Sequence, residues 1–222
     1  MEQTKRRKAS DAIYTEIKRK IIEFEYEPNE HLSEELLAKS LEVSRTPLRE
    51  AFHRLELEKL VTKLPTGRIV VAKLTIAEAE ELFQVRAVLE GLLTRHATRN
   101  MNDMILEKLE EVMQHMEAAA SSQQHVEVVR LGSAFHNLLY QLSQIETASG
   151  FLEQLKSRIE RYRRIGGYRH PHYTANLPVE EHRTILTYVR SGDADGAERA
   201  MVAHVSRSLE MVKETLQMYF IK

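Results

Sequence analysis

Residues 44–51 read Ser-Arg-Thr-Pro-Leu-Arg-Glu-Ala, and the fold of the N-terminal third turns on them. Ser44 or Thr46 can cap a helix, its hydroxyl oxygen accepting a backbone N–H that has no partner of its own, and Pro47 then falls in the first turn, where its missing donor costs little. Leu48, Ala51, Phe52, Leu55 and Leu60 follow at helical spacing as a buried stripe. Arg45 and Arg49, one turn apart, share a face of that helix near its start.

The flanking sequence supplies the rest of a small domain. Ile13, Ile17, Ile21 and Ile22 mark a helix over 11–24, which Glu27-Pro28-Asn29 stops. Ser33 caps a short helix running to Lys39, with Leu36 and Leu37 expected inward. Downstream, two β-prone runs, 61–64 and 69–72, flank the turn Pro65-Thr66-Gly67-Arg68 and read as a hairpin. Helix, short helix, helix and hairpin make a winged helix-turn-helix over residues 1–74. A basic arm, Lys5-Arg6-Arg7-Lys8, precedes it, as a solvated tail or as a phosphate contact.

Residues 75–222 read as helix throughout, so the chain is mainly α, and this second domain is an antiparallel all-helical bundle. Thr75 and Glu78 form a capping box at its start. Apolar residues at 82, 85, 89, 92 and 93 mark its first helix, and 105, 109, 112, 113 and 116 its second. Val126, Val129, Phe135, Leu138, Leu139 and Leu142 mark the third. Leu152, Leu155, Ile159 and Tyr162 mark the fourth, expected to end near Gly166-Gly167 before a loop over 168–178. Two more helices are expected from about 179 to 190 and from about 195 to 219, the last with Asp195 and Glu198 as its capping box.

Composition bounds the function classes. A chain of 222 residues that is 42% hydrophobic and 29% charged suits ordinary globular folding. The sequence contains no apolar run of membrane-span length, and its opening residues lack the apolar stretch of a signal peptide, so a cytoplasmic protein is expected. With no cysteine, thiolate chemistry and thiolate metal sites are excluded. Residues 1–74 hold 15 Lys/Arg against 13 Asp/Glu, and the remainder 17 against 20. Any DNA contact therefore rests on where single cations sit, not on bulk charge.

Those single positions suit DNA. The forked donors of an arginine match the two major-groove acceptors of guanine, which is the work Arg45 and Arg49 could do from a recognition helix. Ser44 and Thr46 lie beside the unpaired amides of a helix N-terminus, a favourable place for a phosphate. Gly67 lets the wing approach a groove, and Arg68 adds a cation. Each residue taken singly could be an ordinary cap or surface charge; their combination in register favours DNA. In the second domain His136, His182 and His204 fall on inward faces of three helices. One such histidine is more often a satisfied core residue, whereas three in one bundle suggest a shared site. Arg86, with Glu90 one turn on, reads equally as an intrahelical ion pair.

The runs EHLSEELLAKSLEVSRTPLREAFHRLELEKLV (30–61) and PTGRIVVA (65–72) resemble the DNA-binding domain of GntR-type transcription regulators. ELFQVRAVLEGLLTRHATR (81–99) and EEHRTILTYVRSGDADGAERAMVAHV (180–205) are similar to the C-terminal, FCD-type ligand-binding domain of their FadR-like subgroup. The resemblance implies base reading by Arg45 and Arg49, phosphate contacts by Ser44 and Thr46, and a minor-groove wing at Gly67. Glu35 stands where several members place a cationic DNA contact. It further implies a divalent metal (zinc, nickel or manganese) held by an Asp-x-x-x-His pair and two later histidines. Here His136, His182 and His204 match the histidines and Gly132 stands in the aspartate's place. Arg86 becomes a carboxylate anchor for the effector. The implied protein is a homodimer on double-stranded DNA with a pseudo-palindromic operator, a repressor released by a small carboxylate metabolite, with no membrane partner. The rival from another class is a metal-dependent enzyme in the helical domain with the winged helix as an interaction module.

Overall fold

The computed structural model describes residues 2–169 and 174–219, with side chains over 9–167 and 174–218. Two compact units are present: Met1–Leu74 with Leu155–Arg161, and Thr75–Gln154 with Tyr162–Lys222.

In the first unit, α1 (Glu2–Ile22), α2 (Glu34–Ser40) and α3 (Arg45–Leu57) surround one core with a three-stranded sheet. The strands are β1 (His31–Leu32), β2 (Val61–Lys63) and β3 (Ile69–Val71), ordered β1-β3-β2 and antiparallel throughout. The register sets Val61 against Val71 and His31 against Val70. β1, absent from the sequence reading, is too short to show alternation; it pairs with β3 and widens the wing's base. Ile13, Ile17 and Ile21 of α1 meet Leu48, Phe52 and Leu55 of α3, all buried. Each such side chain contributes roughly 1.5–3 kcal/mol through burial. α1 begins well before residue 11, and the side chains of the basic arm, 5–8, lie outside the described residues. Leu36, expected inward, is 68% exposed. Seven residues of helix offer one inward stripe, and Leu37, Ala38 and Leu41 take it.

The second unit holds α4 (Ile76–Arg99), α5 (Asp103–Ser121), α6 (His125–Leu142), α7 (Glu146–Arg169) apart from its stretch Leu155–Arg161, α8 (Asn176–Ser191) and α9 (Ala194–Tyr219). Ion pairs report their directions. Glu80 meets Lys213 while Arg95 meets Asp195 and Glu198, so α4 and α9 run antiparallel. Glu117 meets Arg183 while Glu110 meets Arg190, so α5 and α8 do too. The antiparallel helical bundle expected from periodicity is what forms.

Several local expectations are corrected. Thr75 caps α4 by accepting from the Glu78 amide at 3.2 Å, but the Glu78 carboxylate accepts from the Tyr162 hydroxyl at 2.9 Å. α7 continues through Gly166-Gly167 to Arg169. A Cβ at Gly166 would stand 3.3 Å from Val212 of α9, so this glycine marks a close helix approach and not a helix end. α8 starts at Asn176, with Pro178 tolerated in its first turn. Asp193, not Asp195, caps α9, accepting from the Gly196 amide at 2.8 Å, while Asp195 is spent on Arg95. Residues 170–173 of the expected loop lie outside the described residues. Among the described residues no helix is long and apolar enough to cross a membrane.

Candidate functional site

The first unit presents α3. Pro47, Leu48, Ala51, Phe52 and Leu55 are buried, which leaves Ser44, Arg45, Thr46 and Arg49 exposed on the other side. Ser44 is the N-cap in extended backbone (φ −76, ψ 161), yet its hydroxyl makes no capping hydrogen bond. The helix start therefore keeps both a hydroxyl and unbonded amides for an anion. Arg49 is not idle: its Nε donates to Oε2 of Glu34 at 2.9 Å. At the wing, Gly67 sits at φ +83 with open space around its missing Cβ, so the backbone angle is what demands glycine. Its amide donates to the Leu64 carbonyl at 2.8 Å, and Arg68 beside it is exposed.

In the second unit α6, α8 and α9 bring His136, His182 and His204 together. Their ring centroids lie 4.5–5.2 Å apart, and one nitrogen from each falls within 4.8 Å of the others. All three are buried. Each Nδ1 is engaged from behind. That of His136 lies 2.7 Å from Oε2 of Glu90 without meeting hydrogen-bond geometry. His182 Nδ1 is 2.6 Å from the Pro178 carbonyl, and His204 Nδ1 is 2.7 Å from Oε2 of Glu181. Glu181 is held in turn by Arg207. The Nε2 atoms of His136 and His182 are buried with no hydrogen-bond partner.

Burial pushes all three imidazoles below their ordinary pKa, and the positive charge of Arg163 pushes the same way. The rings are thereby held in the neutral form that ligates a metal. Rings anchored through Nδ1 on carboxylate or carbonyl, with Nε2 left to a shared centre, follow the outer-shell pattern of protein metal sites. The donor set fits a divalent ion.

His182 and His204 line a partly open cavity, together with Arg163, Arg207 and an apolar wall that includes Val129 and Met211. A Cβ at Gly132 would stand 3.4 Å from His182 Nε2 and 3.1 Å from Arg163 Nη2. Position 132 therefore looks directly onto the trio, and a guanidinium occupies the space a side chain there would enter. Arg163 Nη1 also donates to the Ser133 hydroxyl at 2.6 Å. Arg86, the expected carboxylate anchor, is not among the residues that line the cavity. It is fully buried, its Nε 2.5 Å from Oε1 of Glu90. Burial pushes the Glu90 carboxyl upward, but Arg86 and His136 outweigh it and hold the group ionised.

Sequence reasoning missed Glu181 and Arg207, which lie across a helix interface from their targets and follow no spacing rule. Glu90 was visible only as a partner of Arg86. Arg163 was legible only together with Tyr140 and Tyr162 as a residue that could line the pocket, with nothing in the sequence to separate the three from core and surface; Arg163 lines it, and the tyrosines are not among the lining residues.

A winged helix-turn-helix with an arginine-bearing exposed helix, joined to a helical bundle with a histidine-lined cavity, defines a DNA-binding transcription regulator. Residues 9–71 match the bacterial regulatory proteins of the gntR family, and residues 81–207 match the FCD domain. The chain belongs to the GntR family and carries its FCD domain. It is 28% identical to the HTH-type transcriptional regulator YdhC of Bacillus subtilis (strain 168), covering 92% of this chain and 91% of that one. It is 27% identical to the HTH-type transcriptional repressor RspR of Escherichia coli (strain K12), covering 92% and 89%. Among solved structures, E. coli McbR/YncC superposes with a TM-score of 0.77 at 18% identity, over 93% of this chain and 97% of that one. A transcriptional regulator from Rhodococcus sp. RHA1 superposes with a TM-score of 0.76, also at 18% identity, over 92% and 97%.

Proposed function

We propose that this protein is a ligand-responsive transcription regulator that acts in the cytoplasm as a homodimer on a pseudo-palindromic operator, a repressor that a small carboxylate releases. Each subunit lays α3 in the major groove, where Arg45 and Arg49 read base edges while Ser44 and Thr46 hold a phosphate. Gly67 and Arg68 bring the wing to the neighbouring groove. A relative bearing the name of a repressor supports the sign of regulation.

The observation that carries the sensing half is the trio itself: three buried neutral imidazoles, Nδ1 anchored, beside a cavity that two arginines also line. His136, His182 and His204 would hold zinc, nickel or manganese, and the ion would supply a Lewis-acid centre open to a carboxylate. Arg163 and Arg207 then orient the carboxylate, and Val129 and Met211 exclude water from its apolar remainder. Arg86 serves the effector site at one remove, fixing the Glu90 carboxylate behind His136. Among the described residues the carboxylates of Glu90 and Glu181 meet the trio at Nδ1 edges, an arrangement that favours sensing over catalysis.

The test is selection of bound DNA from a random duplex pool, repeated with chelator and with a panel of small carboxylates. A symmetric site should emerge, bound less tightly as salt rises and lost with one class of carboxylate. Failure to enrich any site defeats the regulator reading. Enrichment indifferent to chelator and to every carboxylate defeats the sensing half alone.

A further inference from the structure

Glu34 stands in the first turn of α2, whose start is fixed by Ser33: its hydroxyl accepts from the Leu36 amide at 3.4 Å and its carbonyl from the Leu37 amide at 3.0 Å. A carboxylate there is favoured by the positive end of the helix dipole. Leu37 and Ala38 pack α2 onto the core that holds α3, so the backbone under Glu34 is set relative to α3. From that point Oε2 of Glu34 reaches Arg49 Nε at 2.9 Å, fifteen residues away in sequence. The Glu34 side chain is 29% exposed and that of Arg49 is 64% exposed. Arg45 has no such carboxylate among the described residues.

A half-exposed pair of this kind adds little to stability. A carboxylate beside a helix that must approach phosphates also works against affinity. What the contact does supply is direction. Binding Nε occupies one edge of the guanidinium, and the Nη1–Nη2 end is the part whose two donors match the paired acceptors of guanine. An arginine otherwise sweeps many rotamers, most of them useless for reading a base.

We propose that Glu34 is a positioning residue for Arg49: it holds the guanidinium by its Nε edge with the fork turned outward, and so sets base discrimination more than affinity. The inference rests on the reading of α3 as the recognition helix. Because the contact uses an edge that the base does not need, Glu34 keeps hold of Arg49 in the DNA complex instead of competing with it.

The full-length protein and the variants Glu34→Gln, Arg49→Ala and the double variant test this against three duplexes: the selected operator, the operator changed at the base pair that Arg49 reads, and a random sequence. Each is measured at several salt concentrations, with thermal melting of every protein. Glu34→Gln should lower the ratio of operator to changed-operator affinity about fivefold or more, the lower end of what one bidentate contact discriminates. Binding to random duplex should stay level or rise, and the salt slope and melting should be unchanged. In the Arg49→Ala background the same change should leave the ratio where it is. Equal gains on all three duplexes would show that Glu34 is only a repelling or competing charge, and equal losses with a lowered melting point would show it is only structural; either overturns the proposal. Arg49→Ala that leaves base preference intact fails the recognition-helix reading itself, a separate and recognisable result.

Discussion

Gly132→Asp should convert the histidine trio into a four-ligand site. Position 132 lies one turn before His136 on α6, so a side chain there points along the same face. Its Cβ would stand 3.4 Å from His182 Nε2, near enough for a carboxylate to reach an ion held by the trio. The obstacle is Arg163 Nη2 at 3.1 Å, the far end of a flexible side chain that needs to give by only a few tenths of an ångström. Two contributions can then be separated. Glycine in a helix interior costs up to about 1 kcal/mol relative to alanine, so Gly132→Ala should raise stability by up to that amount without supplying a ligand. Outer-shell partners of a metal typically contribute 10–100-fold to affinity, so a direct carboxylate ligand should contribute about tenfold or more, roughly 1.4 kcal/mol. The assay is competition between the metal-free protein and a chromophoric chelator for zinc and for nickel, run on wild type, Gly132→Ala and Gly132→Asp, with thermal melting alongside. Gly132→Ala should match wild type in metal affinity, and Gly132→Asp should bind at least tenfold tighter while responding less to added carboxylate. A folded Gly132→Asp protein that binds metal no better than Gly132→Ala refutes the placement of an ion among the three Nε2 atoms.

Other expectations concern stability and assembly. Arg86→Leu leaves the Glu90 carboxylate buried without its guanidinium, which should cost about 3–5 kcal/mol in denaturant unfolding, and Arg86→Leu/Glu90→Leu should recover most of it. A loss below about 1 kcal/mol for the single change would mean that water or His136 already compensates Glu90. In the first unit burial pushes the Glu58 carboxyl upward, but hydrogen bonds from Lys18 and Tyr14 outweigh it and hold the group below its ordinary value. A depressed folded pKa stabilises above the unfolded carboxylate range and is lost as pH falls through the folded value. Glu58→Gln should therefore cost about 0.5–1 kcal/mol near neutrality and almost nothing near pH 3, and an equal loss at both would contradict the assignment. Val85 and Val88 on α4 are 47% and 69% exposed, an apolar pair suited to a second copy of the chain. In the homodimer proposed above, Val88→Asp would set like charges together across a two-fold interface and should yield monomers in sedimentation where the wild type gives dimers; dimers that persist in the variant would rule this face out as the interface.

The sequence carried some of these features and hid others for identifiable reasons. Helix α3 was legible because Pro47 and the stripe from Leu48 to Leu55 fix its start and its buried face, which leaves the arginines only one side to occupy. The first four bundle helices were legible from apolar spacing. Periodicity over-reached at Val85 and Val126, both apolar and both largely exposed, because it marks the flanks of a stripe as readily as its centre. It also mistook Gly166 for a stop. A glycine that ends a helix and one that lets two helices close in look identical until the partner, here Val212, is known.

The histidine trio shows where local rules end. Arg86 and Glu90 are one turn apart, and that spacing rightly suggested an ion pair. The same spacing on a solvated face would be worth a few tenths of a kcal/mol and would mean little. Burial changes its consequence, because a fully buried carboxylate held charged by one neighbour becomes an anchor for the next, and Glu90 reaches His136 across a helix interface. Glu181 makes the point from the other direction. It is adjacent in sequence to His182 but does not serve it; a step of one residue turns it toward α9, where it supports His204. Chain spacing therefore identifies which side chains face the centre of this bundle, while the identity of each anchor depends on which helix packs opposite. That is why the three inward histidines could be named from sequence and the groups that orient them could not.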